Sequence, residues 1–299
     1  DTTNSLTTKI IFGNNRKPQD QFNYRNMGEI TKEGKYFDFY GKPIDLYKIW
    51  TETPDKVPYE VFNEKGQPIF PGYKFEYGKS TYRGEEVGEG GYVYAEPGIH
   101  ILLALLDVAS MHPHSVIAEN LFGDIYTARF KEIVDGRVFI KHEDWDEVGR
   151  ILDGKLVPFV QKVLDGEITS KDLANALKTA INSVYGLTSA NFDNPFRDIR
   201  NRDNIVAKRG ALFMINLKHA VQDRGFTVAH IKTDSIKIPG ATQEIIDFVM
   251  EYGKKYGYTF EWEATYEKMC LVNDAVYIAK DNETGEWSAT GTQFAVPYV

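Results

Sequence analysis

The chain changes character at the stretch Ile99-His100-Ile101-Leu102-Leu103-Ala104-Leu105-Leu106-Asp107. From residue 99 to residue 106 polar and apolar residues do not alternate, which predicts a strand covered on both faces. The strand is expected to end at Asp107. A carboxylate at the end of a buried strand lies at a sheet edge, facing any cleft above it. The alternative is that Asp107 caps the helix that follows.

The residues before this stretch are aromatic, rich in Gly and Pro, and weakly periodic, which predicts short strands and long loops. They end in a cluster of four glycines: Gly84, Gly88, Gly90 and Gly91. Such a cluster indicates a backbone that turns tightly or approaches another surface closely. A plain flexible loop is the alternative.

The residues after this stretch alternate between helical and strand patterns without a regular βαβ order. Helices are predicted at residues 115–121, 124–141, 170–186, 204–224 and 242–257, with two short helices or one bent helix between 145 and 164. A strand hairpin is predicted at residues 226–238, and strands at 258–265, 269–280 and 286–294. This order predicts an α+β fold with helices on one face of a sheet.

Composition narrows the classes of function. Hydrophobic residues make up 42% and aromatic residues 13% of the 299 positions, which excludes disorder for most of the chain. The net charge of −8 argues against a general nucleic-acid coat but leaves local binding open. The single cysteine, Cys270, excludes an internal disulfide and a Cys-based zinc site, and favours a reducing compartment. No apolar run approaches the roughly 18 residues of a membrane span.

A second carboxylate lies in the segment His230-Ile231-Lys232-Thr233-Asp234-Ser235-Ile236-Lys237. Two apolar strands flank a tight turn, so a hairpin would present Asp234 rigidly; ordinary turn chemistry is the alternative explanation. If Asp107 and Asp234 meet, they can share divalent cations. Two such ions about 3.5–4 Å apart clamp the attacking and leaving oxygens of a phosphoryl transfer.

A third pattern lies on the helix that follows the capping residue Thr169. Lys178, Asn182 and Tyr185 are spaced i, i+4 and i+7, which places them on one polar stripe. The opposite face carries Leu173, Leu177, Ile181 and Val184. A lysine can bind a triphosphate as a point charge, and a tyrosine can stack against a base pair. The alternative is an amphipathic surface helix that ends at Gly186.

The three motifs, in order, read D-x-x-S-x-x-P, K-x-x-x-N-S-x-Y-G and T-D-S. This order resembles motifs A, B and C of family B DNA polymerases of the kind that many bacteriophages carry, over roughly residues 88–294. The resemblance implies an α+β polymerase palm, with an antiparallel sheet and packed helices, and a short helical fingers insertion. The implied domains are residues 1–98 leading into the palm, 99–142 as its first part, 143–187 as fingers and 188–299 as its second part.

The resemblance also implies a role for each motif residue. Catalytic metal ions would be held by the carboxylates of Asp107 and Asp234 and the main chain of Val108. The incoming nucleotide would be contacted by Ser110, Met111, His112, Lys178, Asn182 and Tyr185. DNA would be contacted by Gly90, Gly91, Tyr92 and Tyr277, and Lys232, which departs from the family pattern, is expected to pair with a primer phosphate. The implied cofactor is Mg²⁺ as two ions, for which Mn²⁺ can substitute.

Three positions depart from the family pattern. His112 stands where the family usually has the tyrosine that excludes a ribose 2′-hydroxyl, so the sugar preference does not follow from the motif. Lys232 replaces the first Asp of the family's D-T-D-S motif, so Asp234 is the only carboxylate of that motif in this sequence. Ala275 replaces the lysine of the family's K-x-Y primer motif, so only the tyrosine of that motif, Tyr277, is present in this sequence.

Beyond the third motif's helix lies a run of cationic residues that we expect to meet nucleic-acid backbone, with a solvated face as the alternative. It contains Arg197, Arg200, Arg202, Lys208 and Arg209, opposed by Asp198 and Asp203.

The sequence therefore favours a DNA-directed DNA polymerase that acts on primer–template DNA and dNTPs. The alternative is a catalytically weak or silent fragment that binds primer–template DNA or a replication partner. No exonuclease D-x-E motif and no thumb segment are recognisable, and the last residues are apolar. The chain is therefore expected to be a piece of a longer polypeptide, with the missing thumb and exonuclease segments as partners; a frayed natural C-terminus is the alternative. The expected location is the cytoplasm, that of the host if the protein is viral, without membrane association.

Overall fold

The computed structural model describes residues 2–294, so the predicted end of the second palm segment, residues 295–299, lies outside the described part. The chain forms two compact units. The helical unit contains Asp1–Arg25 and His112–Val206, and the sheet unit contains Asn26–Met111 and Ala207–Val299. These units are defined by compactness alone, and the functional division into palm and fingers stays a prediction.

The secondary structure confirms the α+β prediction. The helices are α1 Thr3–Phe12, α2 Leu46–Glu52, α3 Met111–Ala118, α4 Asp124–Lys141, α5 Trp145–Arg150, α6 Val157–Leu164, α7 Ser170–Thr188, α8 Ile205–Asp223 and α9 Gln243–Lys255. The strands are β1 Tyr36–Asp38, β2 Pro43–Ile44, β3 Val61–Asn63, β4 Pro68–Ile69, β5 Lys74–Glu76, β6 Lys79–Tyr82, β7 Glu85–Val87, β8 Val93–Ala95, β9 Gly98–Val108, β10 His230–Lys232, β11 Ser235–Pro239, β12 Phe260–Asn273, β13 Val276–Asp281 and β14 Trp287–Thr290.

The sheet unit is built on a seven-stranded antiparallel sheet with the order β14-β13-β12-β9-β11-β10-β8. Strand β9 lies inside this sheet, between β12 and β11, which explains its apolar composition. An aromatic cluster joins α8 and α9 to the sheet, because Phe213 of α8 packs against Tyr252 of α9, against Tyr256 directly after α9 and against Phe260 of β12. Two smaller sheets, β2-β1-β3-β4 and β5-β6-β7, complete the unit.

The helical unit is held together by an aromatic cluster. Phe12 of α1 packs against Phe22, Phe122, Tyr126 and Phe196, with ring centroids 4.8–6.2 Å apart. Such pairs add about 0.5–1.5 kcal/mol each beyond the area that they bury. The cluster therefore joins helices that are far apart in the sequence.

Several predicted helices are confirmed, and α4 has the predicted bounds. Gly136 sits inside α4 because a Cβ there would lie 2.6 Å from Ile151 Cδ1, so packing requires a glycine or a shifted Ile151. Helix α7 has the predicted capping box between Thr169 and Asp172. The predicted end at Gly186 is wrong, because Gly186 keeps helical geometry and α7 continues to Thr188.

The prediction of two covered faces for residues 99–106 is only partly right. Leu103 and Leu106 are fully buried, whereas Ile99 and Ile101 are 75% and 57% exposed. The change occurs at Leu102, whose φ of +51° interrupts the extended backbone. Burial on both faces is therefore confined to the half of β9 that leads to Asp107.

Candidate functional site

Sheet register brings Asp107 and Asp234 together. Asp107, the second-last residue of β9, lies opposite Ser235 of β11 on one side and Glu261 of β12 on the other. The Val108 N–H donates a hydrogen bond of 2.8 Å to the carbonyl oxygen of Asp234. Asp107, near the end of β9, and Asp234, in the turn before β11, are 127 positions apart in the sequence (234 − 107) and thus lie beside each other in one sheet.

The turn that carries Asp234 is tightly wound. Lys232 pairs with Ser235, so Thr233 and Asp234 form a two-residue loop between β10 and β11. The Asp234 N–H donates to the carbonyl oxygen of Lys232 at 2.7 Å. Thr233 has a φ of +54°, which is rare and costly for a β-branched residue. Such strain persists only where surrounding structure fixes the backbone.

The glycine cluster supplies part of that surrounding structure. The Tyr92 carbonyl oxygen accepts the Thr233 N–H at 2.9 Å. Gly91 has a φ of +124°, and a Cβ at this position would lie 2.9 Å from Thr233 Cγ2. The predicted close approach of backbone is therefore confirmed at Gly91, while Gly90 has open space around it.

Negative charge is concentrated around Asp107. Burial, followed by the charges of Asp234, Glu263 and Glu261, raises the pKa of Asp107 from 3.8 to about 7. Burial also raises the pKa of Asp234. Lys237 opposes the effect on Asp107, and burial lowers the pKa of Lys237 itself to about 8. Both aspartates are therefore less stable in their charged form than in water.

The donor set suits a small, hard cation. Carboxylate oxygens are the ligands that Mg²⁺ prefers, and Mg²⁺ usually takes one or two carboxylates and keeps several waters. Within residues 2–294 no group of three or more His, Cys, Asp or Glu side chains is arranged to hold a metal ion. A site at this position would thus take two carboxylates, Asp107 and Asp234, from the chain. The predicted contribution of the Val108 main chain stays a prediction.

The residues after Asp107 have mixed exposure. Ser110 is half-buried and has a φ of +49°. Met111 is 3% exposed, and its sulfur packs on Gly210 of α8, where a Cβ would lie 2.6 Å from it. The Met111 side chain therefore belongs to the core, and its predicted nucleotide contact could come only from the main chain.

In the helical unit, His112 and Tyr185 form a stacked pair. Their ring centroids are 4.1 Å apart and their planes differ by 7°. Burial lowers the pKa of His112, so the imidazole is neutral at pH 7. Its Nδ1 is buried and accepts or donates no hydrogen bond within residues 2–294. Two residues that were predicted separately to contact the nucleotide are thus in direct contact.

The remaining predicted residues of α7 are accessible. Lys178 and Asn182 are exposed, and Leu173, Ile181 and Val184 are buried on the opposite face. The amphipathic pattern of this helix is therefore confirmed, and the roles of Lys178 and Asn182 stay predictions.

The predicted DNA contacts in the sheet unit differ in accessibility. Lys232 is exposed, whereas Tyr92 is 4% exposed and its hydroxyl donates to Glu85 at 2.6 Å. A contact with DNA at Tyr92 would therefore involve its main chain. Tyr277 is half-buried, with Lys237 Nζ 4.8 Å from its ring centroid and His230 packed edge-on.

The expected cationic stripe is not a continuous surface. Lys208 and Arg209 are buried, at 2% and 1% exposure, and donate to main-chain carbonyls. Arg200 is paired with Asp198 at 2.5 Å. Arg202 is exposed. The sequence alone could not separate the buried cations from the exposed ones, because α8 is buried on all sides by packing against other parts of the fold.

Sequence reasoning missed Glu261 and Glu263 as charged neighbours of Asp107. Both lie on β12, where the register with β9 shifts between Trp262 and Ala264. This shift is a β-bulge, and a bulge redirects side chains. The available signal was the acidic pair in the segment Phe260-Glu261-Trp262-Glu263, but its position opposite Asp107 depends on a register that the sequence does not state.

The known proteins that match this chain are solved structures. No protein-family model and no curated protein matches the chain. Among solved structures, the family B DNA polymerase from the hyperthermophilic archaeon Pyrobaculum calidifontis matches with a TM-score of 0.45 and 15% sequence identity. The match covers 66% of this chain and 28% of that polymerase. Because this match is weak, any assignment of function rests on the geometry and sequence of this chain.

Among residues 2–294, no helix combines the length and the apolar character that a membrane span requires.

Proposed function

We propose that the chain contains the catalytic centre of a DNA-directed DNA polymerase, which transfers a nucleotide from a dNTP to a primer 3′-hydroxyl. The supporting observation is that Asp107, near the end of β9, lies beside Asp234, in the turn before the adjacent strand β11, with a 2.8 Å main-chain hydrogen bond from Val108 to Asp234. The three ordered motifs indicate the same chemistry from the sequence. Neither argument depends on the structural match.

Asp107 and Asp234 are the residues that we assign to hold Mg²⁺, with Mn²⁺ as a substitute. When bound, the ions supply Lewis-acid activation of the primer hydroxyl and compensate charge at the triphosphate. Burial raises the pKa of both carboxyls, so a nearby cation would stabilise the charged form of each. The rigid sheet and the strained turn hold the two carboxylates without reorganisation, which is how positioning contributes to phosphoryl transfer.

In the helical unit we assign Lys178 and Asn182 to the phosphates and sugar region of the incoming nucleotide. Lys178 is exposed and carries a point charge suited to phosphate oxygens. We assign the flat surface of the stacked His112–Tyr185 pair to the nascent base pair, because aromatic faces bind bases by stacking. In the proposed reaction the 3′-oxygen forms a bond to the α-phosphorus, the bond from that phosphorus to its bridging oxygen breaks, pyrophosphate leaves, and the hydroxyl proton passes to water.

Primer extension by Asp107→Asn and Asp234→Asn tests this proposal. Asparagine keeps the shape of aspartate and removes its charge, so extension in Mg²⁺ should fall to background in both variants. Asp247→Asn is the matched control, because Asp247 is exposed on α9 and should leave extension unchanged. Undiminished extension by either of the first two variants would contradict the proposal.

A separate measurement addresses the alternative of a silent DNA-binding chain. A dNTP with Mn²⁺ should raise the melting temperature of the unchanged chain, because a ligand that binds the folded state stabilises it. Binding of primer–template DNA without extension, together with an unchanged melting temperature, would favour the alternative.

A further inference from the structure

We propose that Lys218 is a positioning residue for Asp234, acting through Tyr92 and the turn at Thr233. This inference rests on the proposed function, since it assigns Lys218 to the placement of one of the two carboxylates. All the residues concerned lie in the sheet unit.

The first link joins Lys218 of α8 to the glycine-rich segment, residues 84–92. Lys218 is 5% exposed, and its Nζ donates to the Tyr92 hydroxyl at 2.7 Å and to Glu85 Oε2 at 3.0 Å. Tyr92 in turn donates to Glu85 Oε1 at 2.6 Å. A buried ammonium is costly unless its donors are satisfied, and these three groups satisfy one another. The closed network therefore fixes the Tyr92 side chain on α8.

The aromatic contacts of the same ammonium strengthen this link. Lys218 Nζ lies 5.2 Å from the centroid of the Tyr92 ring and 4.4 Å from that of Tyr94. Cation–π contacts within about 6 Å are attractive, and more so when desolvated. Lys218 therefore holds the two tyrosines that bracket the start of β8.

The second link joins the main chain of Tyr92 to the turn. Its carbonyl oxygen accepts the Thr233 N–H at 2.9 Å, and the next residue, Val93, pairs with Lys232 in the sheet. Gly91 packs so closely on Thr233 that a Cβ would lie 2.9 Å from Thr233 Cγ2. A shift of Tyr92 would therefore move the support of Thr233 directly.

The third link is the strained backbone of Thr233 itself. Its φ of +54° is unfavourable for a β-branched residue, so the conformation depends on external hydrogen bonds and packing. The next residue is Asp234, whose carbonyl oxygen accepts from Val108 beside Asp107. Relaxation of Thr233 would rotate Asp234 relative to Asp107. Groups that bind a metal ligand directly typically change metal affinity or activity by about 10–100-fold when they are removed, and since Lys218 acts through Tyr92 and Thr233, the low end of that range applies.

The test measures Mn²⁺ binding to the full chain from the electron paramagnetic resonance signal of free Mn²⁺. We expect Lys218→Met to weaken Mn²⁺ binding about 10-fold. Tyr92→Phe keeps the ring and removes only the hydroxyl, and it should weaken Mn²⁺ binding in the same direction. The double variant should bind about as weakly as the weaker single variant, because both substitutions break the same network.

The matched control is Asn216→Leu, which removes another buried polar group of α8. Asn216 accepts hydrogen bonds from Tyr82 at 2.8 Å and Arg83 at 3.1 Å and contacts neither Tyr92 nor Glu85 through a hydrogen bond that the structure describes. We expect it to lower the melting temperature and to leave Mn²⁺ affinity unchanged. A purely structural role for Lys218 would make the two variants alike.

A second readout is hydrogen exchange at the Thr233 amide, which donates to Tyr92. We expect faster exchange in Lys218→Met and in Tyr92→Phe than in the unchanged chain or Asn216→Leu. Unchanged exchange together with unchanged Mn²⁺ affinity in Lys218→Met would overturn the inference. Failure of the proposed function has another signature: Asp107→Asn and Asp234→Asn would bind Mn²⁺ as well as the unchanged chain. The Thr233 amide would still decide in that case whether Lys218 holds the turn.

Discussion

The Asp107 carboxyl lies where folding and the proposed function make opposite demands. Burial and the carboxylates of Asp234, Glu263 and Glu261 favour its protonated form, whereas cation binding requires the charged form. In the absence of a cation, the folded state at neutral pH therefore carries an electrostatic cost. Functional sites commonly retain such costs, and substitutions that relieve them stabilise the fold.

Replacing Asp107 by Asn should therefore stabilise the chain at pH 8 in the presence of EDTA. The carboxyl pKa rises from 3.8 to about 7 on folding, so its contribution to stability is complete below pH 3.8 and is lost as the pH rises through 7. We expect Asp107→Asn to raise the free energy of unfolding at pH 8 by about 1 kcal/mol, reduced for the solvent that still reaches this half-buried group. Urea denaturation at pH 4 and pH 8 measures the effect.

The control for this prediction is Asp55→Asn, since Asp55 is an exposed carboxylate before β3. It should change the free energy of unfolding little and equally at both pH values. A gain in Asp107→Asn that is the same at pH 4 and pH 8, or a loss at pH 8, would contradict the prediction.

His230, in the same sheet, changes stability with pH in the opposite direction to Asp107, because its pKa is lowered on folding. His230 Nδ1 accepts from Lys237 at 3.0 Å, and Nε2–H donates to the Asp274 carbonyl oxygen at 2.8 Å, so the imidazole is neutral. Burial and the Lys237 charge lower the His230 pKa to about 4. The folded state therefore loses stability as the pH falls from 6.5 through 4, where the unfolded state takes up a proton first.

We expect His230→Gln to reduce this loss of stability in acid, because glutamine can accept and donate the same two hydrogen bonds without titrating. The melting temperature of the variant should fall less than that of the unchanged chain between pH 7 and pH 4.5. His142→Gln, at an exposed position, should behave like the unchanged chain. Parallel melting curves for His230→Gln and the unchanged chain would refute this assignment.

At single positions, the sequence reveals candidate site residues that belong to local motifs. It misses residues that reach the site only through the pairing register of the strands. Asp107 and Asp234 could be selected as candidate site residues from the sequence because each lies at the end of a recognisable apolar strand. Glu263 was not, because its charge reaches Asp107 through a bulge in a strand more than 150 positions later. Register is a property of two strands, and one strand's sequence does not determine it.

At the scale of elements, two helical glycines should respond in opposite ways to alanine. Gly186 in α7 has no atom within 4 Å of a built Cβ, so Gly186→Ala should raise the free energy of unfolding by about 0.5–1 kcal/mol. Gly253 in α9 is buried, and a Cβ there would lie 2.7 Å from Phe260 Cδ2 and 3.2 Å from the Tyr258 carbonyl oxygen. Gly253→Ala should therefore lower the free energy of unfolding. Urea denaturation of the two variants checks the sign of each, and equal effects would contradict the packing argument.

The elements that could be predicted are those that local sequence patterns determine. Helix α4 and the α7 cap follow from periodicity and a local capping box. Helix α1 was missed because it buries only Thr7, Ile11 and Phe12, which leaves no clear apolar stripe. Its one local signal was Thr2, whose hydroxyl accepts from the Ser5 N–H.

The strands after α9 show the opposite error. A break was predicted near residue 267, but β12 continues from Phe260 to Asn273, and near that position only its register against β13 shifts, between Tyr266 and Lys268. The turn instead falls at Asp274 and Ala275, where the Asn273 side chain accepts the Ala275 N–H. An Asn in this position is a turn signal, and pairing with β9 over the length of β12 outweighs the polar residues that suggested a break.

At the scale of the whole molecule, charge is distributed differently from what its order in the sequence suggests. The net charge is −8, and three of the five cations expected to form a stripe are buried or ion-paired: Lys208, Arg209 and Arg200. Lys208 is fixed on the carbonyl oxygens of Val87 and Gly88, and Arg200 on Asp198. Paired or buried cations release few counterions from DNA, because they do not meet phosphates.

The proposed binding of primer–template DNA should therefore depend only weakly on salt. Each phosphate contact contributes a slope of about −0.9 to the plot of log affinity against log salt concentration, and we expect a total slope of about −3 or shallower. Fluorescence anisotropy of labelled DNA between about 50 and 200 mM KCl measures it. Arg202→Gln should make the slope shallower by about 1 because Arg202 is exposed, whereas Lys65→Gln, on an exposed turn after β3, should not change it. A slope steeper than about −6 would mean that a broad basic surface meets the DNA, and the distribution of charge described for this chain would then be wrong.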